Sequence, residues 1–223
     1  MWLYDMKDNL VSFGFITPLG SEDPNNDPHR AAQEFKRDSP FMRDLLDGAE
    51  LIRYGAKCVP TGGLHAQPKM YTNGAMLVGD SASMLNIMKL AGIHMAIKTG
   101  MMAAETLVDA FKVDDFSSKT LGNYAERFKD SWAYEEHVEG RNFTGSMEIS
   151  PLFAMLLNIP VMMITKGRGL IPFIQTEPSH SAMKKIWELP KERRHPEPFE
   201  PDGVLTFSKE HLVGFSGTQH EAD

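Results

Sequence analysis

The run GAMLVGDSASMLNIMKLAGIHMAIKTGMMAAE, residues 74–105, constrains the fold more than any other part of the chain. It reads as an apolar strand ending in Gly79-Asp80, then a loop, then Gly92 at the head of a helix from about 93 to 111. On that helix Ala96, Gly100, Ala103, Ala104 and Leu107 recur at three- and four-residue spacings. One face is therefore nearly bare backbone and can pack closely on a sheet. A carboxylate following an apolar strand emerges at the carboxyl end of a sheet, where open α/β folds bind ligands. The first amides of the helix, on Ile93, His94 and Met95, have no intrahelical acceptor, and with the positive helix end they stabilise negative charge.

Two readings follow from these residues. In one, Asp80 accepts a hydroxyl of a flavin's ribityl chain while the helix end faces the ring edge that becomes electron-rich on reduction. In the other, Gly79-Asp80 is an ordinary strand-to-helix turn.

The flanking sequence supplies the remaining elements. NLVSFGFITPLG, residues 9–20, alternates Val11, Phe13 and Phe15 before a Pro/Gly stop and predicts a strand. Asp27-Pro28 opens a helix through Ala31 and Phe35, and PFMRDLLDG starts a second at Pro40. Residues 50–80 have strand character at both ends around a Gly62-Gly63 loop, and GVLTF at 203–207 predicts one more strand. From about 118 to 139 a single helix is expected, with Leu121, Tyr124, Phe128 and Trp132 on one stripe and charges on the other.

Residues 149–165 carry no charge. A spanning helix needs about 20 apolar residues, and this stretch is shorter and contains Pro151 and Pro160. Lys166 and Arg168 follow at once, where their stems can reach along an apolar surface toward head groups. A buried pair of helices and an interfacial membrane surface both satisfy this composition.

Net charge is −7 without a dense basic block, which argues against a nucleic-acid partner. The single cysteine, Cys58, can form neither an internal disulfide nor a four-thiolate site and reads as a small core residue. Of the 15 methionines, those at 84–102 and 155–163 read as adaptable core filling before a ligand or lipid surface. No metal-ligand spacing or nucleophile set stands out. His65, after the glycine pair, and His94 are the histidines nearest the expected site. His94 reads as a structural hydrogen-bonder rather than a proton donor, and Lys98 as solvated.

The segment resembles the electron transfer flavoprotein–ubiquinone oxidoreductase family, with Gly79, Ser81, Asn86, Lys89, Gly92, His94, Ala96, Lys98, Gly100, Ala103, Ala104 and Glu105 in register. Tyr54, Gly62, Pro68 and the closing SGTQHE extend the likeness over the whole chain. The resemblance implies a membrane-associated flavoenzyme in which FAD and a 4Fe-4S cluster pass electrons from reduced electron transfer flavoprotein to ubiquinone. It places the chain peripherally on an energy-transducing inner membrane, on the bacterial cytoplasmic or mitochondrial matrix face.

The implied fold is α+β or α/β, part of a glutathione-reductase-like FAD domain. The expected divisions are a β-rich quinone-side segment at 1–60, the later part of the FAD domain at 61–145, a membrane-surface segment at 146–175, and an extension at 176–223. Carried over, Gly79 and Asp80 sit at the ribityl–phosphate region, and Gly92, Ile93 and His94 at the isoalloxazine edge, with Asn86 in the same site. Leu152, Phe153, Met155, Leu156, Leu157, Ile159, Val161, Met162 and Met163 fall on the apolar surface that dips into the bilayer, which favours the interfacial reading of 149–165.

Asp80 and Met88 depart from the family pattern, which has proline at the latter position. No G-x-G-x-x-G follows a strand, so the FAD site is partial, and the cluster module lies outside this sequence. The N-terminus reads as the middle of a domain, and the chain as an internal portion of a longer enzyme or the product of a split or truncated gene, inactive alone. A reductase or monooxygenase acting on a prenyl or aromatic substrate, and an inert association module, are the competing functions.

Overall fold

The computed structural model describes residues 1–168, 173–174, 176 and 178–216. It is a mixture of helices and two small sheets, in two compact units: Met1–Lys57 with Pro178–Asp223, and Cys58–Glu177.

In the first unit, β1 (Trp2–Met6) pairs antiparallel with β2 (Leu10–Gly14), Tyr4 opposite Ser12. The three-residue loop between them works because Asp8 and Asn9 take left-handed backbone, which these short polar residues tolerate. α1 (Pro28–Asp38) starts as its sequence dictates, with the Asp27 carboxylate accepting from the His29 amide at 3.0 Å and Pro28 in the first turn. Ser39 ends α1 and begins α2 (Pro40–Leu45), its hydroxyl accepting from the Met42 amide. Phe35 of α1 meets Phe13 and Phe15, with ring centroids 6.2 and 5.9 Å away, so the alternating face of β2 packs on this helix.

The expectation of a β-rich 1–60 is corrected: among the described residues this segment holds one hairpin and two helices. GVLTF is not a strand either. The Asp202 carboxylate accepts from the amides of Val204, Leu205 and Thr206, and these bonds replace a ladder with a tight loop. The Thr206 amide foremost, with its neighbours, holds the Asp202 carboxyl down to about 2.

In the second unit, the strand expected through Val78 shrinks to β4 (Ala75–Met76), paired only with β3 (Tyr71–Thr72), and Gly79–Ala82 turns into a 3₁₀ helix. α3 (Ile93–Val113) matches its expected span within two residues. Its inner face buries Met95, Thr99, Met102, Ala103, Thr106 and Ala110. The small-residue face at Gly100 and Ala104 is open, and it lies in a stripe with exposed Ile93, Ile97, Met101, Val108 and Phe111, about 27 Å long at 1.5 Å per residue.

The helix expected over 118–139 is broken into α4 (Ser118–Leu121), α5 (Asn123–Lys129) and α6 (Trp132–Glu139). Ser131 takes extended backbone, and its hydroxyl donates to the Phe128 carbonyl. That break resets the helical phase, so Tyr124 and Phe128 are buried while Trp132 turns outward. The core gathers Met70, Met84, Met95 and Met102 around Tyr124, Phe128 and Ala133, so the earlier methionine group is largely core filling.

Beyond α7 (Phe143–Ile149) the chain breaks at extended Ser150, and from Pro151 the charge-free stretch is helical: α8 (Pro151–Phe153), a π-helical turn at Ala154–Asn158, and α9 (Ile159–Thr165). The π turn has a direct cause. Pro160 has no amide to give the Leu156 carbonyl, and its ring crowds that position, so the Ile159 amide reaches back to Ala154. Among the described residues no helix is long and apolar enough to cross a membrane.

Candidate functional site at the head of α3

Gly79 is buried with φ +58°, and its amide donates to the Thr99 hydroxyl of α3 at 3.0 Å. A Cβ at this position would lie 3.1 Å from that of Ala96, so glycine lets the turn lie close on the helix. The next residue, Asp80, is exposed. A Cβ built on Gly92 would stand 3.3 Å from Asp80 Oδ1 and 3.1 Å from the Leu85 side chain. The Gly-Asp turn and the amino end of α3 therefore converge, and the absence of a side chain at Gly92 lets them approach this closely. The backbone also tightens here: Ser83 and Leu90, like Gly79, take left-handed φ, and Asn86 and Ala91 exchange two backbone hydrogen bonds.

The other expected residues divide. Ile93 is exposed at the helix head. His94 stacks on Trp132, centroids 5.8 Å apart and planes 7° apart, and its Nε2–H donates to Glu136 Oε1 at 2.9 Å. Asn86 faces inward: its amide nitrogen donates to the same Glu136 oxygen at 2.9 Å, and its oxygen accepts from the Lys89 amide. Lys89 places its ammonium 3.5 Å from Glu136 and 3.3 Å from Glu139. Burial pushes the Glu136 carboxyl up, but the hydrogen bonds from His94 and Asn86 and the Lys89 charge outweigh it, leaving it below its ordinary 4.5.

Glu136 is thus a hub that periodicity assigned only to a charged helix face. Its neighbour His137 is buried, bonds the Met84 backbone, and has its Nε2 without a partner. Burial pushes the His137 imidazole below its ordinary 6.5.

His65 does not join this cluster among the described contacts; it lies against Phe173, with ring centroids 3.8 Å apart. Burial foremost, then the Arg141 charge, lowers its pKa. Cys58 is exposed, which corrects its reading as a core residue. Among the described residues no group of three or more His, Cys, Asp or Glu is placed to hold a metal.

A second feature of this unit is an apolar ledge. Leu152, Met155, Leu156, Leu157 and Met163 are exposed together with Ile149 and Ile164, the last at 84%. Phe153, Ile159 and Val161 are half-buried, and Met162, at 3% exposed, is turned inward and does not belong to the surface. Below the ledge, buried Asn158 donates to the Asn142 carbonyl and to Met162 Sδ.

Residues 1–59 match the family description "ETF-QO, ubiquinone-binding". Along its full length the chain is 32% identical to the electron transfer flavoprotein-ubiquinone oxidoreductase of Pseudomonas aeruginosa, covering 40% of that protein. It is 32% identical to the mitochondrial protein of that name from Caenorhabditis elegans and 31% to that from Bos taurus, covering 38% and 36% of them. The chain thus spans about two fifths of the length of the curated relatives it matches. With the family description at its amino-terminal end and relatives of one name along all of it, the chain is similar throughout to electron transfer flavoprotein-ubiquinone oxidoreductases.

Proposed function

We propose that this chain forms the flavin-edge, quinone-side and membrane-facing portion of a flavoenzyme that passes electrons from reduced electron transfer flavoprotein through FAD to ubiquinone. The observation carrying the reading is the approach of the Asp80 carboxylate to Gly92 at the head of a 21-residue helix. The geometry fits the sugar and ring-edge half of FAD. Gly79 and Asp80 would hold the ribityl chain, Asp80 by accepting from a hydroxyl. Gly92 would admit the ring edge, and the amides of Ile93 and His94 with the helix end would favour negative charge there. FAD, when bound, supplies the single-electron chemistry. The protein's part is to orient it and set its electron affinity. The glutathione-reductase-like domain, and a 4Fe-4S cluster held by a separate module, belong to the same proposal.

The ledge is the surface that meets the bilayer, peripherally, on the inner-membrane face open to electron transfer flavoprotein. Exposed Leu152, Met155, Leu156, Leu157 and Met163 give it an apolar sole, and Lys166 and Arg168 a cationic rim. Titration of the chain with FAD, read by quenching of flavin fluorescence, tests the central claim. Binding should be weak, because no pyrophosphate cradle is present in the sequence. Gly92→Val should abolish it and Asp80→Ala reduce it about tenfold, as expected for loss of a charged hydrogen bond. Binding unchanged in Gly92→Val would remove the flavin from this turn.

A further inference from the structure

Twelve residues, 79–90, include three with left-handed backbone, and two of them, Ser83 and Leu90, are not glycine. Leu90 is also 77% exposed, so no packing of its side chain offsets the strain. Such backbone persists only where surrounding contacts over-determine it. Within the segment the Asn86–Ala91 bridge is one constraint. The Gly79 amide's bond to Thr99 of α3 is another, and further ones come from a helix far along the chain.

We propose that Glu136 of α6 is the positioning residue of the turn, holding Asn86, Lys89 and His94 in the one arrangement that sets the Asp80–Gly92 gap. The inference rests on the flavin reading, and it deepens it. One carboxylate oxygen takes hydrogen bonds from both Asn86 and His94, each at 2.9 Å, and the other faces the Lys89 ammonium at 3.5 Å. Its side chain is only 15% exposed, so its charge has lost most of its water and relies on these donors. Asn86 lies six residues before Gly92 and His94 two residues after it, so the carboxylate ties the turn to the first turn of α3. Tightness around the contact adds to this. Gly140, just past α6, would bring a Cβ within 3.6 Å of Asn86 Oδ1, and the Trp132 ring fixes the plane of His94. Glu139, by contrast, touches only Lys89 among the described contacts.

Amide hydrogen exchange and FAD titration on the same chain test the proposal. In Glu136→Ala, exchange at residues 86–96 should rise at least about tenfold, and FAD affinity should fall by a similar factor, the size expected when buried donors lose a charged acceptor. Protection at 99–110 should stay as in the parent chain, and Glu139→Ala should leave both readouts near parent values. Glu136→Gln keeps one acceptor oxygen, so it should recover part of the protection at Asn86 and His94; it also replaces the alanine variant if that fails to fold. The absorbance envelope of bound FAD should shift in Glu136→Ala, which simple loss of stability would not cause.

Protection at 86–96 unchanged in a folded Glu136→Ala chain, with FAD still bound, overturns the positioning role alone; where only Glu136→Gln folds, protection fully equal to the parent's does so. A parent chain that binds no FAD overturns the flavin reading and the assignment to it, whatever exchange shows.

Discussion

The turn at residues 79–94 and the ledge at 149–165 lie in one structural unit and are held by opposite means. The turn is short of apolar burial at its tip and is fixed by directional contacts: two glycines, a backbone bridge and the Glu136 carboxylate. The ledge has almost no directional contact on its outer face, and is fixed from beneath by buried Asn158 and Met162. Directional bonds fix atoms within tenths of an ångström, as a site that orients a ring must. An apolar surface needs area rather than precision, because hydrophobic transfer is non-directional. The difference is what the proposed flavin site and the proposed membrane-facing ledge would each require.

The largest effect should come where the two regions share a support. Gly167, just past α9, has φ +69°, and a Cβ there would lie 2.0 Å from the Val138 carbonyl oxygen of α6. Gly167→Ala should therefore cost more than about 3 kcal/mol in chemical denaturation, since the backbone of α6 cannot give way cheaply. If it also raises exchange at 86–96, ledge and turn are coupled through α6; if not, they are independent.

Leu156→Glu should separate them from the other side. Leu156 is exposed, so stability should change by less than about 0.5 kcal/mol. Sedimentation with anionic phospholipid vesicles should weaken about tenfold, because a carboxylate replaces buried apolar area. Flavin binding should not move. Equal vesicle binding by Leu156→Glu and the parent chain would remove the membrane role from the ledge.

The smallest effect concerns acidity. His137 is held neutral by burial, with its native pKa below 6.5. The unfolded chain takes up the proton first, so stability should fall as pH drops below about 6.5 and level off once the native imidazole is also protonated. Thermal midpoints from pH 7.5 to 5 would show the slope, and His137→Phe should reduce it, leaving the part due to His29 and His65, whose pKa values burial also lowers.

Much of the second unit was legible because its signals are local. The helix α3 follows from its spacing, although its small-residue face at Gly100 and Ala104 is open rather than packed on a sheet, and the Gly79–Asp80 pair marked the turn without separating a ligand site from an ordinary turn. Where the reading failed, a local pattern was cut by a single polar group. Ser131 split the expected helix and turned Trp132 outward, and Asp202 captured the amides that GVLTF would have given a strand. The ledge's sidedness was only partly readable: the sequence marks 149–165 as charge-free, but the π turn forced by Pro160 shifts the phase, so Met162 points inward while Met163 points out.

By itself the sequence determined that an acidic turn and a glycine-headed helix stand in series, that a charge-free stretch too short to span a membrane follows, and that the chain resembles relatives of one name along its whole length. Tertiary structure decided which polar groups meet. Glu136 lies 50 residues from Asn86 and 42 from His94. On a helix that also carries Glu135 and Glu139, nothing in its spacing distinguishes it. Its role exists only because α6 folds back across the turn, where lost solvation makes a carboxylate depend on the donors it finds.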